Sequence, residues 1–204
     1  MMSMKCSLPI AIGVLVAAFT AMPRLAFADS VEENAQTCAG CHGESGIPQE
    51  KTTPVIWGQN EGYLYLQLRD FKSGARKNDI MSGVVAGLEK ADFKALAAHF
   101  ASLKWPNIQQ PSPPKDVTKA ALTVIGSIGC TSCHLDQYQG DGSTARLAGQ
   151  QAEYLLKTMT DFRDGSRGNN PGMSDLMKAA QPADLGPISQ YLASLQVIGG
   201  NGDQ

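Results

Sequence analysis

Cys38-Ala39-Gly40-Cys41-His42 and Cys130-Thr131-Ser132-Cys133-His134 are two copies of one pattern, Cys-x-x-Cys-His, set 92 residues apart in a chain of 204. The same offset relates Met81 to Met173. Between these anchors the likeness continues with a slip of one residue. Gly58-Gln59 lies over Gly149-Gln150, Tyr63-Leu64 over Tyr154-Leu155, Asp70-Phe71 over Asp161-Phe162, Gly74 over Gly165 and Arg76 over Arg167. One extra residue after Arg167 restores the offset, and residues 81–103 then match 173–195 without a gap. A period this long is the size of a small domain rather than of a solenoid repeat, so the chain reads as one fold written twice.

Each copy shows the same plan. A short helix leads into Cys-x-x-Cys-His, and a long irregular loop follows. An amphipathic helix is expected over 60–73, with Tyr63, Leu64, Gln67, Leu68 and Phe71 at three-four spacing and Gly74 as its stop. Its twin is expected over 151–164, stopped by Gly165. A loop is expected to carry the methionine. The last helix is expected at about 90–103, with Phe93, Leu96, Ala97 and Phe100 on one face, and its twin at about 182–195, opened by Pro182. No strand pattern stands out, which gives an all-α pair of domains. Four prolines in 104–116 (KWPNIQQPSPPKD) predict a stiff, extended linker between domains at 29–103 and 117–195. Residues 196–204 are expected to form a flexible tail.

The first 28 residues read as an export signal. Lys5 supplies the positive start, Leu8 to Met22 the apolar run, and Ala26-Phe27-Ala28 the small-residue site, with cleavage expected after Ala28. The run is short for a bilayer span and is interrupted by Pro9 and Gly13, which weighs against an uncleaved anchor. No later segment is apolar enough to span a membrane. Removing Lys5 and Arg24 from the 17 basic residues leaves 15 against 19 acidic, evenly spread. With no basic patch, nucleic acid is not an expected partner.

Cys6 leaves with the signal, so the remaining four cysteines all lie in the two motifs. Export would ordinarily suggest disulfides. A thioredoxin-like pair, a four-cysteine zinc site and two simple disulfides are the competing readings. None of them uses the repeated histidine or the distant methionine. Cys-x-x-Cys-His is the attachment pattern of c-type haem. On a helical turn, residues i, i+3 and i+4 share one side. Two thiols can then reach two vinyl groups of one porphyrin, and the histidine can reach its iron. Cys38, Cys41, Cys130 and Cys133 are therefore the expected covalent attachment points of two c-type haems. His42 and His134 are the expected iron ligands. A porphyrin also supplies the bulk that a loop-rich domain of this size lacks.

A thioether sulfur is a common second axial ligand in electron carriers and raises the potential. Met81 is the only methionine of the first copy after the signal, 39 residues past His42, and Met173 stands 39 past His134. These two are the expected sixth ligands. Met159 aligns with Leu68 and reads as core. Met177 aligns with Val85 and is the fallback ligand of the second copy. His99 faces Tyr191 in the alignment and reads as a packing or surface residue. Trp57, Tyr63 and Tyr154 are candidates to line haem edges. Arg76 and Arg167 either pair with haem propionates or are solvated.

The stretches CAGCHGESG, PVIWGQ, YLYLQLRDFKSG, IMSG and DFKALAAHFASL, echoed by CTSCH, LAGQ, EYLLKTMTDFRDG, GMS and ISQYLASL, resemble the two-domain dihaem c-type cytochromes of the cytochrome c-4 kind over nearly all of 29–204. The resemblance implies two class I cytochrome folds about a pseudo-twofold axis, with propionate edges facing each other. It also implies a periplasmic carrier that exchanges electrons with a terminal oxidase or a dehydrogenase, as a monomer or weak homodimer. Similar chains serve as the cytochrome subunit of flavocytochrome sulfide dehydrogenases. One position departs from the family: the proline whose carbonyl usually holds the ligand histidine is present as Pro54 but is replaced by Ala145 in the second copy. Two six-coordinate irons leave no open site, and no catalytic triad or carboxylate pair is present. A dihaem peroxidase is the enzymatic rival and requires a displaceable ligand.

Overall fold

The structure is a computed structural model that describes residues 25–196. Most of the expected signal and nearly all of the expected tail lie outside the described residues. Among those described, the chain is helical with no strand. The first half contains α1 (Leu25–His42), α2 (Glu61–Ser73), α3 (Asp79–Val85) and α4 (Lys90–Ser102). The second contains α5 (Lys115–Ile128), α6 (Thr131–His134), α7 (Ala152–Asp164), α8 (Pro171–Ala179) and α9 (Pro182–Ser194). α1 runs without a break across Ala28.

Local chemistry accounts for the ends. α2 stops at Gly74 and α7 at Gly165, with φ of 77° and 84°, the left-handed cap that glycine adopts without a Cβ penalty. α4 and α9 both open with a capping box: the Asp92 carboxylate accepts from Glu89 N–H at 2.7 Å, and Asp184 accepts from Gln181 N–H at 3.0 Å.

Two expectations need correction. The methionine segments are helices, not loops. Asn78 Oδ1 accepts from Met81 N–H at 2.9 Å and Asn170 Oδ1 from Met173 N–H at 3.1 Å, so each asparagine caps the helix that carries the methionine. Pro171, pre-set at a first-turn position, helps start α8. The helical boundary after the linker also comes earlier than residue 117, because Lys115 and Asp116 already belong to α5 behind Pro114.

The halves repeat one packing scheme. α1 crosses α4, α2 packs on α4, and α3 lies on α2. In the second half α5 crosses α9, α7 packs on α9, and α8 lies on α7. Phe93, Leu96, Ala97 and Phe100 of α4 are all buried, as their spacing predicts, and Leu185, Ile188 and Leu192 do the same on α9. Each such fully buried aliphatic side chain contributes about 1.5–3 kcal/mol. The repeat is broken before the second motif. Thr37 continues α1 into Cys38, whereas Gly129, at φ 74°, ends α5 and leaves Cys130 to start a separate turn. After the histidine, Gly43 takes φ 91°, and a Cβ there would lie 2.2 Å from the Ile47 carbonyl oxygen. Its twin is Leu135, held at φ 64°.

Candidate haem sites

Cys38, Cys41 and His42 form the last turn of α1, while Cys130, Cys133 and His134 form the turn of α6. In each trio the first cysteine is half-buried against its domain's core and the second is exposed. All four thiols are free. Burial pushes the Cys38 thiol up to about 11 and raises that of Cys130 as well. A disulfide-exchange pair needs the opposite, a thiol whose pKa is lowered. The four cysteines do not converge: among the described residues, no group of three or more His, Cys, Asp or Glu side chains is placed to cage an ion. That disfavours the zinc reading.

Both histidines are buried. His42 Nδ1 donates to the Pro54 carbonyl at 2.8 Å, and His134 Nδ1 donates to the Ala145 carbonyl at 2.8 Å. A carbonyl can only accept, so the proton sits on Nδ1 and the Nε2 lone pair is left bare. Burial lowers the pKa of both rings and keeps them neutral. The replacement of proline by Ala145 therefore costs the second site nothing in this bond. Met81 and Met173 are each half-buried on the cores of their domains, both at the third position of a capped helix. Met177 and Met159 are buried outright in the second core. His99 is half-buried and meets the Phe100 ring edge-on at 5.0 Å between centroids.

No family model matches the chain. It is 32% identical over 180 residues to "Cytochrome c4" of Azotobacter vinelandii, covering 79% of this chain and 85% of that one. It is also 32% identical to "Thiosulfate dehydrogenase electron acceptor" of Thiomonas intermedia, covering 91% and 89%. The crystal structure of reduced recombinant cytochrome c4 from Pseudomonas stutzeri superposes with a TM-score of 0.73 at 28% identity, covering 83% of this chain and 98% of that one. The chain belongs to the cytochrome c4 family. As a member of that family it is an electron-transfer protein rather than an enzyme, and its cofactors are two covalently bound c-type haems.

The two halves of the chain are joined by side chains that reach reciprocally across the pseudo-twofold axis. Asn60 donates to the Gln139 and Thr144 carbonyls at 3.1 and 2.7 Å, while Gln151 donates to the Pro48 carbonyl at 3.5 Å. Tyr63 N–H bonds the Gly142 carbonyl at 3.0 Å. That approach depends on Gly62, where a Cβ would sit 2.8 Å from the same oxygen. Gln59 pairs with both backbone groups of Arg146, and Gln150 with both of Val55. These two glutamines are only 3% exposed. Their pairing across the boundary was missed from sequence, although a Gly-Gln repeated in register was the available signal. The linker is fastened too: Gln110 bonds the Gln150 and Ala193 carbonyls at 2.8 and 3.1 Å.

Arg76 is half-buried and Arg167 buried, and both are engaged by protein groups, which weighs against the solvated reading of their sequence. Arg76 Nη1 and Arg167 Nη2 both donate to Gln67 Oε1 at 2.9 Å, and Arg76 Nη2 donates to the Tyr154 hydroxyl at 3.1 Å. Each guanidinium also lies over a phenylalanine of its own half, Phe71 or Phe162. Arg167 is buried, and its Nη1 has no protein partner. An orphaned, buried cationic donor fits a group that carries carboxylates, as haem does.

Proposed function

We propose that His42 and Met81 ligate the iron of one haem and His134 and Met173 that of the other, with Cys38, Cys41, Cys130 and Cys133 as the thioether anchors. The observation that carries this reading is the pair of buried imidazoles with Nδ1 fixed at 2.8 Å on a backbone carbonyl, each following two free thiols at the haem-attachment spacing. The bound haems supply a one-electron ferric–ferrous couple. The protein's part is to hold the two cofactors and shield them. The cysteines tether, the carbonyls of Pro54 and Ala145 orient the imidazoles, and methionine sulfur favours the reduced state. Arg76 and Arg167 are placed to receive haem carboxylates at the domain boundary.

The chain then works as a periplasmic carrier between respiratory redox proteins, taking electrons from a dehydrogenase and passing them to a terminal oxidase. Export follows from the residue 1–28 signal, cleaved after Ala28, and among the described residues no helix is long and apolar enough to cross a membrane. A dedicated partnership with one dehydrogenase is the second reading, favoured by the likeness to the Thiomonas intermedia electron acceptor. The secreted protein should be purified as a monomer or weak homodimer whose mass begins at Asp29 and includes two haems. Stopped-flow reduction by candidate dehydrogenases then separates the readings. A general carrier is reduced by several donors at comparable rates, whereas a dedicated acceptor is reduced by one and co-purifies with it. A mass equal to the bare polypeptide overturns both.

A further inference from the structure

We propose that Gln59 and Gln150 are positioning residues that act across the domain boundary, each polarising the peptide that receives the axial imidazole of the opposite domain. The proposal rests on the ligand assignment above. Gln150 Oε1 accepts from Val55 N–H at 2.8 Å. That N–H belongs to the same planar peptide unit as the Pro54 carbonyl, which accepts from His42 Nδ1 at 2.8 Å. The result is an unbroken chain: side-chain amide of the second domain, peptide unit of the first, imidazole of the first. Gln59 builds the mirror arrangement. Its Oε1 accepts from Arg146 N–H at 2.7 Å, and the partner carbonyl of that peptide, Ala145 O, accepts from His134 Nδ1.

The amides are held firmly. Gln150 Nε2 donates to Val55 O at 2.9 Å and Gln59 Nε2 to Arg146 O at 3.0 Å, so each side chain binds the next residue at two points. Each Oε1 also accepts its own neighbour's N–H, from Gln151 and Asn60 respectively, both at 2.9 Å. Hydrogen bonds in a buried chain reinforce one another. An N–H whose oxygen acceptor is close makes its own carbonyl a better acceptor. A better acceptor on Nδ1–H makes the imidazole more electron-rich, and an electron-rich ligand favours ferric iron. The cytochrome's two iron sites are thus each tuned by the partner half.

The test uses the full dihaem protein. Met81→Ala and Met173→Ala first assign the two haems, by proton NMR of the oxidised state and by spectroelectrochemical titration. Gln150→Leu and Gln59→Leu, which keep bulk but remove the amide, are then compared with parent. Gln150→Leu is expected to shift the His42-bound haem toward reduction at least threefold, about 28 mV at ~59 mV per tenfold for one electron, with the His134-bound haem moved less. Gln59→Leu is expected to give the reverse assignment. Gln151→Ala, which cuts a cross-domain bond away from these peptides, is expected to move neither. A shift confined to each variant's own domain, equal shifts at both haems, or shifts under threefold overturn the proposal. Should the leucine variants fail to fold, Gln150→Glu decides, because its charged acceptor strengthens the Val55 bond. It is expected to favour the oxidised state of the His42 haem, and a shift in the other direction or none overturns the proposal. A parent protein without two haems, or methionine variants that leave both haem spectra unchanged, would instead defeat the ligand assignment itself.

Discussion

Arg76 of the first domain and Tyr154 of the second share a hydrogen bond of 3.1 Å between Nη2 and the phenol oxygen. Burial by itself would hold this phenol neutral. The charges of Arg76 and then Arg167, with bonds from Arg76 and Thr158, outweigh that and bring Tyr154 down to about 7 from the usual 10. Arg76 faces it from the first domain and Arg167 from its own, with Tyr63 and Asp70 of the first domain in the same network.

A phenol whose pKa is lower folded than unfolded binds fewer protons in the native state between those two values. Native stability should therefore rise from pH 7 towards pH 10, and this contribution should be lost as pH falls through 7. Urea midpoints of parent and Tyr154→Phe at pH 6.5 and pH 9 check this. The parent should gain more than the variant over that interval, and equal gains would show that Tyr154 keeps its ordinary pKa in the folded protein.

Ferric iron bound by methionine sulfur absorbs in the far red. Met81→Ala and Met173→Ala should each remove about half of that band, since each deletes one of two like ligands. Met177→Ala should leave the band intact and lower stability by about 2–5 kcal/mol, the cost of emptying a buried methionine site. A band lost in Met177→Ala alone would move the second iron's ligand to that residue.

The caps on the methionine helices should be separable from the ligands they carry. Replacing Asn78 or Asn170 by alanine removes an acceptor from the N–H of Met81 or Met173 and should cost about 1 kcal/mol. Thermal unfolding read at the far-red band should detect this as earlier loss of the methionine bond in the altered domain.

Pro54→Ala should be mild. The group that His42 uses is a backbone carbonyl, and the second domain already makes the same 2.8 Å bond from an alanine. The stability change should stay within about 1 kcal/mol, the usual range for losing a compatible proline. The His42 haem potential should move far less than in Gln150→Leu.

The helical plan was readable because its signals are local. Gly74, Gly165, Pro182 and the three-four spacing of Phe93, Leu96 and Phe100 act within a turn or two. Cys-x-x-Cys-His was readable for the same reason. The asparagine caps at 78 and 170 were also local, yet went unread because a short helix has little periodicity to display. What the linear pattern could not show was contact between residues some 90 positions apart. Tyr63 lies on the helix that buries Leu64 and Phe71, Tyr154 on its twin with Leu155 and Phe162, and the sequence made both candidates to line haem edges. In the structure their hydroxyls also meet the arginines of the opposite half. Gln59 and Gln150 were visible as a repeat, but their partners at Arg146 and Val55 carry no side-chain signature, since only backbone groups are engaged.

Gln67 has no twin, because Thr158 occupies its place in the second copy. Its single oxygen gathers Arg76, Arg167 and the amide of Asn169, which lies where the second copy is one residue longer. A tandem of two first halves would lack the longer segment, and a tandem of two second halves would lack the amide oxygen. The duplicate modules have ceased to be interchangeable, so grafting either half from a homologue would have to carry its matching face along with it.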